Sequence, residues 1–397
     1  MAGISGLGTN YNLPNYTGIL FQLTPSDSPF FSAIGGLTGG LQTTSTEFEW
    51  ETFDLRDAAQ PENVEGATAP TAQGRVRANV ANVVQIHQEK VSVAYSKIAA
   101  FGQKSGTNNE AMNPVRNEVD WQVEQTLKQM VRDAEYSFLR GAYQKPGNNS
   151  TGRKTRGILA AVTTNAFDVG AAANLPTVTA TASTDKVNSS AHGLNNGEVV
   201  IFSALTGGAG LVVGQPYYVV NKGTNDFEVS LTKGGAKIDI TSDASAATAR
   251  KLTTLTTQHV GDAMQSAYDN GGITDSTTAT LVCNSSVKRA LTVAYADAYG
   301  KFTETDRRVG GVAVDTIETD FGRVNVMLNR YMPKDTLLVA SLEQCAPVFL
   351  EVPGKGHFFA EPLAKTGASD DVQLYGEVGL QYGNQAAHSK VAGVCLG

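Results

Sequence analysis

Residues 45–66 read STEFEWETFDLRDAAQPENVEG, and this stretch constrains the fold more than any other. Glu47, Glu49 and Glu51 take alternate positions, with Phe48, Trp50 and Thr52 between and after them. That is the period-two pattern of a strand with one apolar and one acidic face. A polar loop over 57–74, with two prolines and two glycines, follows. A second extended run, RVRANVANVVQIHQEKVSVAYS, covers 75–96; in it Val76, Val80, Val84 and Ile86 alternate with Arg75, Arg77 and Asn79. Two long strands about one loop make a ribbon, acidic on one strand and basic where the other begins. A two-stranded hairpin alone is marginally stable in water, so a ribbon of this length is expected to find its partner on another molecule.

The next strong signal is a helix. Asn113 and Pro114 suit the N-cap and first helical positions. Val119, Val123, Leu127, Met130, Ala134 and Phe138 recur every three or four residues, Glu124 and Lys128 make an i,i+4 pair, and Gly141 marks the stop. At 1.5 Å per residue the pattern predicts a spine of roughly 40 Å. Upstream, LTPSDSPFFSAIGG (23–36) is a turn cluster leading to Phe30, Phe31 and Ile34, and an extended arm is expected over the first 43 residues. From 166 to 253 the runs TVTATAS, EVVIFS, PYYVV, DFEVSL and KIDIT, separated by Gly, Asn and Asp, predict a small all-β module inserted in an α/β pattern. Beyond it, Thr256–Asn270 and the segment from Ser285 through Tyr295 predict helices. TATLVC, RVNVML, TLLVAS, APVFLEV and VQLYGEVGLQYG predict strands.

Composition narrows the function. The formal charge of −7, without a basic tail or lysine block, argues against a protein built to grip duplex nucleic acid. Cys283, Cys345 and Cys395 lie far apart with no CxxC spacing, which supports neither a zinc site nor a disulfide framework. Met1–Tyr11 lacks the charged start and apolar core of a secretory signal, and no apolar run approaches a membrane span. A soluble product made in a reducing cytoplasm is expected.

The candidates for chemistry are weak. Alternate strand residues lie about 6.7 Å apart, so Glu47, Glu49 and Glu51 do not converge on one ion or one proton. A solvated or intermolecularly paired strand face explains them better, with arginines as the natural match. His87, His192, His259, His357 and His388 show neither HxH nor HExxH spacing, and His192 in HGLNNGEVV suits a turn. Asp320-Phe321-Gly322 matches a kinase tripeptide, but the phosphate loop and HRD segment that should accompany it are missing; a turn before a strand suffices. CNSS at 283–286 lacks the GxSxG elbow, and helix capping accounts for it. No catalytic residue, metal or cofactor is expected.

The order of arm, ribbon, spine helix, α/β region and late strands resembles the major capsid protein fold of tailed bacteriophages, also seen in the floor of herpesvirus shells. LTPSDSPFFSAIG (23–35), FEWETFDLRDA (48–58), the run over 75–96, RDAEYSFLRGA (132–142) and the tail from DFGRVNVMLNRYMPKDTLLVAS onward are similar to one branch of these proteins. The module within 166–253 is similar to a small β unit recurring in phage structural proteins.

The resemblance implies an α+β fold with an N-terminal arm over 1–43, an extended E-loop ribbon over 44–100 and a P-domain with the spine helix over 101–165. It further implies the inserted β domain over 166–253, facing outside near the A-domain, then mainly A-domain over 254–345 and returning strands over 346–397. The implied function is a structural subunit assembling as hexamers and pentamers into an icosahedral shell around double-stranded DNA, without sequence-specific binding. Glu47, Glu49 and Glu51 would meet Arg75, Arg77, Arg132 or Arg140 of neighbouring subunits, with Trp50 as an apolar anchor. Partners would be the chain itself, a separate scaffold, a portal and a decoration protein; the location would be the virion, and the host cytoplasm before assembly. A phage tail or decoration component is the alternative, permitted by the β module but disfavoured by the long helix.

Overall fold

The computed structural model describes residues 22–60, 62, 64–69, 71–72, 74–99, 118–170, 174–274, 279–298, 316–364 and 367–396. The chain first forms α1 (Pro29–Ala33), β1 (Leu41–Thr43), β2 (Glu47–Phe53), β3 (Arg77–Val83), β4 (Gln85–Ala94), α2 (Tyr95–Ala99), α3 (Glu118–Arg140) and α4 (Ile158–Ala161). It continues with β5 (Ala166–Asp168), β6 (Val178–Thr181), β7 (Lys186–Asn188), β8 (Val199–Gly207), β9 (Pro216–Val220), β10 (Asp226–Ser230), β11 (Ala244–Lys251) and β12 (Thr253–Thr254). The remainder holds α5 (Thr257–Asp269), β13 (Ala279–Cys283), α6 (Ser285–Ala298), β14 (Thr316–Thr319), β15 (Gly322–Leu328) and β16 (Thr336–Ser341). β17 (Ala346–Leu350), β18 (Phe358–Pro362), β19 (Ser369–Gln381), β20 (Ser389–Ala392) and β21 (Val394–Cys395) complete it.

α3 is the predicted spine. Met130, Ala134 and Phe138 are buried, whereas Val119, Val123 and Leu127 are half-buried against Val91, Val93 and Leu374. Its 23 residues span roughly 35 Å, and Lys128 meets Glu124 at 2.7 Å. The predicted start at Asn113 and Pro114 lies outside the described residues. Beneath the helix, β19 carries β4 along one edge, with β18 and β17 end to end along the other, and β1 joins β17 in parallel.

The predicted arm is docked over its described part. Phe30 and Phe31 are buried beside Phe138, and β1 is a sheet strand. Ser28 makes no side-chain cap for α1. Instead the buried carboxylate of Glu135, on α3, accepts from the backbone N–H groups of Phe30 (3.0 Å) and Phe31 (2.6 Å), and from the Asn329 side-chain amide. A carboxylate there satisfies helix-end donors that would otherwise be buried unpaired.

A second sheet, in the order β14-β15-β13-β16-β20-β5, has β13 fully buried at its centre. α5 and α6 share its core: Val260, Met264, Val287 and Leu291 pack with Leu281, Val324 and Leu337. Thr256 caps α5 reciprocally with His259, and Asp320-Phe321 form the turn between β14 and β15.

The β-rich module is a closed barrel, β10-β7-β6-β11-β8-β9, with its own core of Val187, Phe202, Tyr217, Val219 and Phe227. It departs from the sequence reading in detail. Lys237–Thr241 forms no strand; Ile238 makes a single bond to Val229 and Ile240 fills the core as irregular backbone. The closing strand is β11, whose alanine-rich sequence has low intrinsic β preference and bends through two register shifts. β5 pairs β20 of the second sheet rather than the barrel.

Candidate assembly surfaces

β2 and β3 form the expected ribbon, in register from Glu47↔Val83 to Phe53↔Arg77. The strand period divides its faces as the sequence indicates. Phe48 is buried against Val84 and Val348, and Trp50 sits half-buried with its ring edge-on to Tyr382 at 4.9 Å. The close approach is possible because Gly379 of β19 lies below Phe48: a Cβ there would stand 2.6 Å from the Phe48 ring and 2.8 Å from the Val83 carbonyl.

On the opposite face each carboxylate has its own partner. Lys145 meets Glu47 at 2.5 Å, the Asn79 amide donates to Glu49 at 3.1 Å, and Arg77 meets Glu51 at 2.6 Å. Among the described residues no three His, Cys, Asp or Glu side chains come together as metal ligands. Of the arginines singled out in the sequence, Arg77 alone touches the acidic row within the chain. Arg75 is exposed beyond the end of β3. Arg132 donates to the Tyr331 hydroxyl at 2.9 Å, and Arg140 lies 5.4 Å over the Tyr136 ring, both on α3.

Past its anchored base the ribbon leaves apolar groups in solvent: Phe53 is 67% exposed, Leu55 68% and Val76 87%. Lys145, Gly379 and Gly383, whose carbonyl accepts from the Trp50 indole N–H, were not singled out by sequence reasoning. The four basic residues of 144–157 flagged the loop that carries Lys145, but nothing local distinguishes either glycine.

The nucleophile and base candidates are structural. Burial pushes the Cys283 thiol up to about 12 and the Cys345 thiol further up, so neither is held as a thiolate. The Asn284 side chain donates to the carbonyls of Arg330 and Met332. His192 accepts from the Leu194 N–H at 3.0 Å, fixing the expected turn. His388 is buried between the Ser341 N–H and the Tyr382 carbonyl.

The barrel is clamped to the second sheet through Arg250 of β11. Its guanidinium meets both oxygens of Asp168, at 3.0 and 2.9 Å, and the buried carboxylate of Asp335. Thr253 adds a bond to the Val169 carbonyl at 3.2 Å.

A family model described as SU10 major capsid protein matches residues 3–394. No curated protein matches the sequence. The fold is similar to that in the capsid asymmetric unit of cyanophage A-1(L), with 10% identity and a TM-score of 0.53 over 98% of this chain and 99% of that one. It is also similar to the capsid of an empty GTA particle, with 12% identity and a TM-score of 0.51 over 99% of this chain and all of the other.

Proposed function

The chain belongs to the SU10 major capsid protein family, and on that premise we propose how its geometry builds a shell of hexamers and pentamers. The ribbon serves as the E-loop, α3 as the spine of the P-domain, and the second sheet with α5 and α6 as the A-domain. The barrel is an insertion held beside that domain. The shell encloses double-stranded DNA, which a chain of net charge −7 meets without gripping.

One observation carries the reading. The ribbon is bolted to its own subunit through Phe48 and Trp50, yet Glu49, Glu51 and the apolar residues Phe53, Leu55 and Val76 stand in solvent. An exposed apolar end on a two-stranded projection is a docking element. Laid across a neighbour, it would bury those side chains and bring Glu47, Glu49 and Glu51 within reach of the neighbour's Arg75, Arg132 or Arg140. Each exposed ion pair contributes at most about 1 kcal/mol, so the apolar contact supplies most of the association and the charges set orientation. A separate scaffold, a portal and a decoration protein are the further partners of this reading.

Electron microscopy of the chain, expressed alone and with its neighbouring phage genes, tests it. Closed icosahedral shells that disappear when 57–74 is deleted support both the shell and the ribbon's role. Tubes or rings point to a tail component instead.

A further inference from the structure

We propose that β4 is completed from outside: its open edge accepts β2 of a second copy of this chain, so that one sheet runs across the subunit boundary. The proposal rests on the reading of the chain as a shell subunit, and it names the strand that docks and the strand that receives it. β4 is ten residues long and pairs β19 in unbroken register from Ala94↔Ser369 to Gln85↔Val378. Among the described residues no strand pairs its other edge. A regular edge of this length presents a row of backbone donors and acceptors, and proteins ordinarily blunt it with a proline, a bulge or a projecting lysine. β4 has no proline and its ladder no bulge. Its lysine, Lys90, is drawn to Asp371 of β19 at 2.6 Å.

Open space flanks the strand. A groove of about 570 Å³ holds Gln85–Glu89 beside Asp133, Arg140 and Lys154, and another of about 390 Å³ holds Lys90–Ala94 beside Lys97 and Glu118. His87, only 7% exposed, lines the first groove, and its Nε2 has no partner. An unpaired polar atom buried at the floor of an open groove is costly in the lone subunit.

β2 suits the vacancy. Among the described residues it pairs β3 along one edge alone, and its outward face carries the three glutamates; the acceptor offers Arg140 and Lys154 beside Glu89 and Asp133 at one end, and Lys97, 3.9 Å from Glu118, at the other. Strand addition takes affinity from main-chain bonds and register from side chains. A contact between two different patches of identical chains builds rings where the rotation between copies closes, and open filaments where it does not.

The test uses the unmodified chain first. Hydrogen exchange over 86–94 is compared between unassembled subunits and shells, and about half of these amides should slow by about tenfold or more on assembly. In parallel, Glu47, Glu49 or Glu51→Cys is paired with His87→Cys or Glu89→Cys, on the face of β4 that Val91 and Val93 turn toward α3. One register of that panel should form a disulfide between copies within shells. Shells whose β4 amides exchange as fast as in the free subunit, or in which no pair of the panel crosslinks, overturn the strand addition while leaving the capsid reading standing. Failure of the unmodified chain to form shells even with its neighbouring genes overturns both.

Discussion

Trp50 donates its indole N–H to the Gly383 carbonyl at 2.9 Å, across 333 positions of chain. With the edge-on contact to Tyr382, this bond ties the ribbon to the strand end of β19. Trp50→Ala should therefore cost about 2 kcal/mol of subunit stability, less than a fully buried tryptophan, and should abolish shells at concentrations where the parent assembles. Trp50→Phe keeps the ring contact and loses the bond, at about 1 kcal/mol. Urea unfolding and negative-stain microscopy read the two effects. Normal shells from the alanine variant would remove Trp50 from the ribbon's anchorage.

Gly379 makes the same point through space. The methyl of Gly379→Ala would meet the Phe48 ring and the Val83 backbone inside contact distance, and the backbone atom has no room to yield. The expected loss is about 1–3 kcal/mol. A second change, Phe48→Leu, removes the ring from the clash, so the pair should be less destabilised than the sum of the two single variants. Strict additivity in a double-mutant cycle would contradict the contact.

Glu135 and Glu51 should behave oppositely although both are paired glutamates. Glu51 and Arg77 leave 50% and 68% of their side chains exposed, so Glu51→Gln should change stability by less than about 1 kcal/mol. Glu135→Ala strips the partner from two buried backbone N–H groups and the Asn329 amide, with an expected loss of about 3 kcal/mol or more. Limited proteolysis should then cut near residues 22–36 first, since α1 is held there. Equal sensitivity of the two positions in chemical unfolding would refute this ranking.

Much of this architecture was legible because local chemistry and tertiary role agree. The ribbon's alternation, the α3 stripe, the helix read over Thr256–Asn270 and the strand read in TATLVC (278–283) each point the same way at both levels. The barrel's closing strand did not show itself, because Ala244–Lys251 owes its conformation to β6 and β8 on either side rather than to its own residues. The docking of Phe30 and Phe31 was hidden for a related reason: the group that caps α1 comes from position 135, not from the sequence beside it. Glu47 and Glu51 were legible as a face to be paired. Arg77 reaches Glu51 through the ribbon's own register, whereas Lys145 reaches Glu47 only because the 144–154 segment folds back, and no periodicity encodes that.

The barrel should loosen when Arg250 is removed. Arg250→Ala leaves Asp335 buried without its cation, a loss of about 3 kcal/mol, while the barrel's own core is untouched. Calorimetry should resolve a separate barrel transition in the variant, in place of one cooperative event in the parent. A single transition merely shifted downward would mean that the hydrophobic contacts of Leu252 with Val199 and Ile201 hold the barrel without the clamp.

Acid should weaken the free subunit, partly through His87. Burial lowers its pKa from the ordinary histidine value of 6.5 to about 4, so the folded state resists a proton that the unfolded chain accepts. The stability contributed by the neutral ring is full above pH 6.5 and is lost as pH falls from there to about 4, amounting to about 3 kcal/mol. His388, also lowered by burial, acts in the same direction. Glu135, raised by burial, acts in the other, gaining stability as pH falls through its folded value. The difference between the parent and His87→Leu isolates the one ring from these neighbours. The variant should match or exceed the parent at pH 7 by up to about 1 kcal/mol, since it deletes an unpaired buried nitrogen, and its advantage should grow steadily toward pH 4. Parallel unfolding curves for the two proteins across that range would show that His87 accepts its proton as easily folded as unfolded, and would remove it from the acid response.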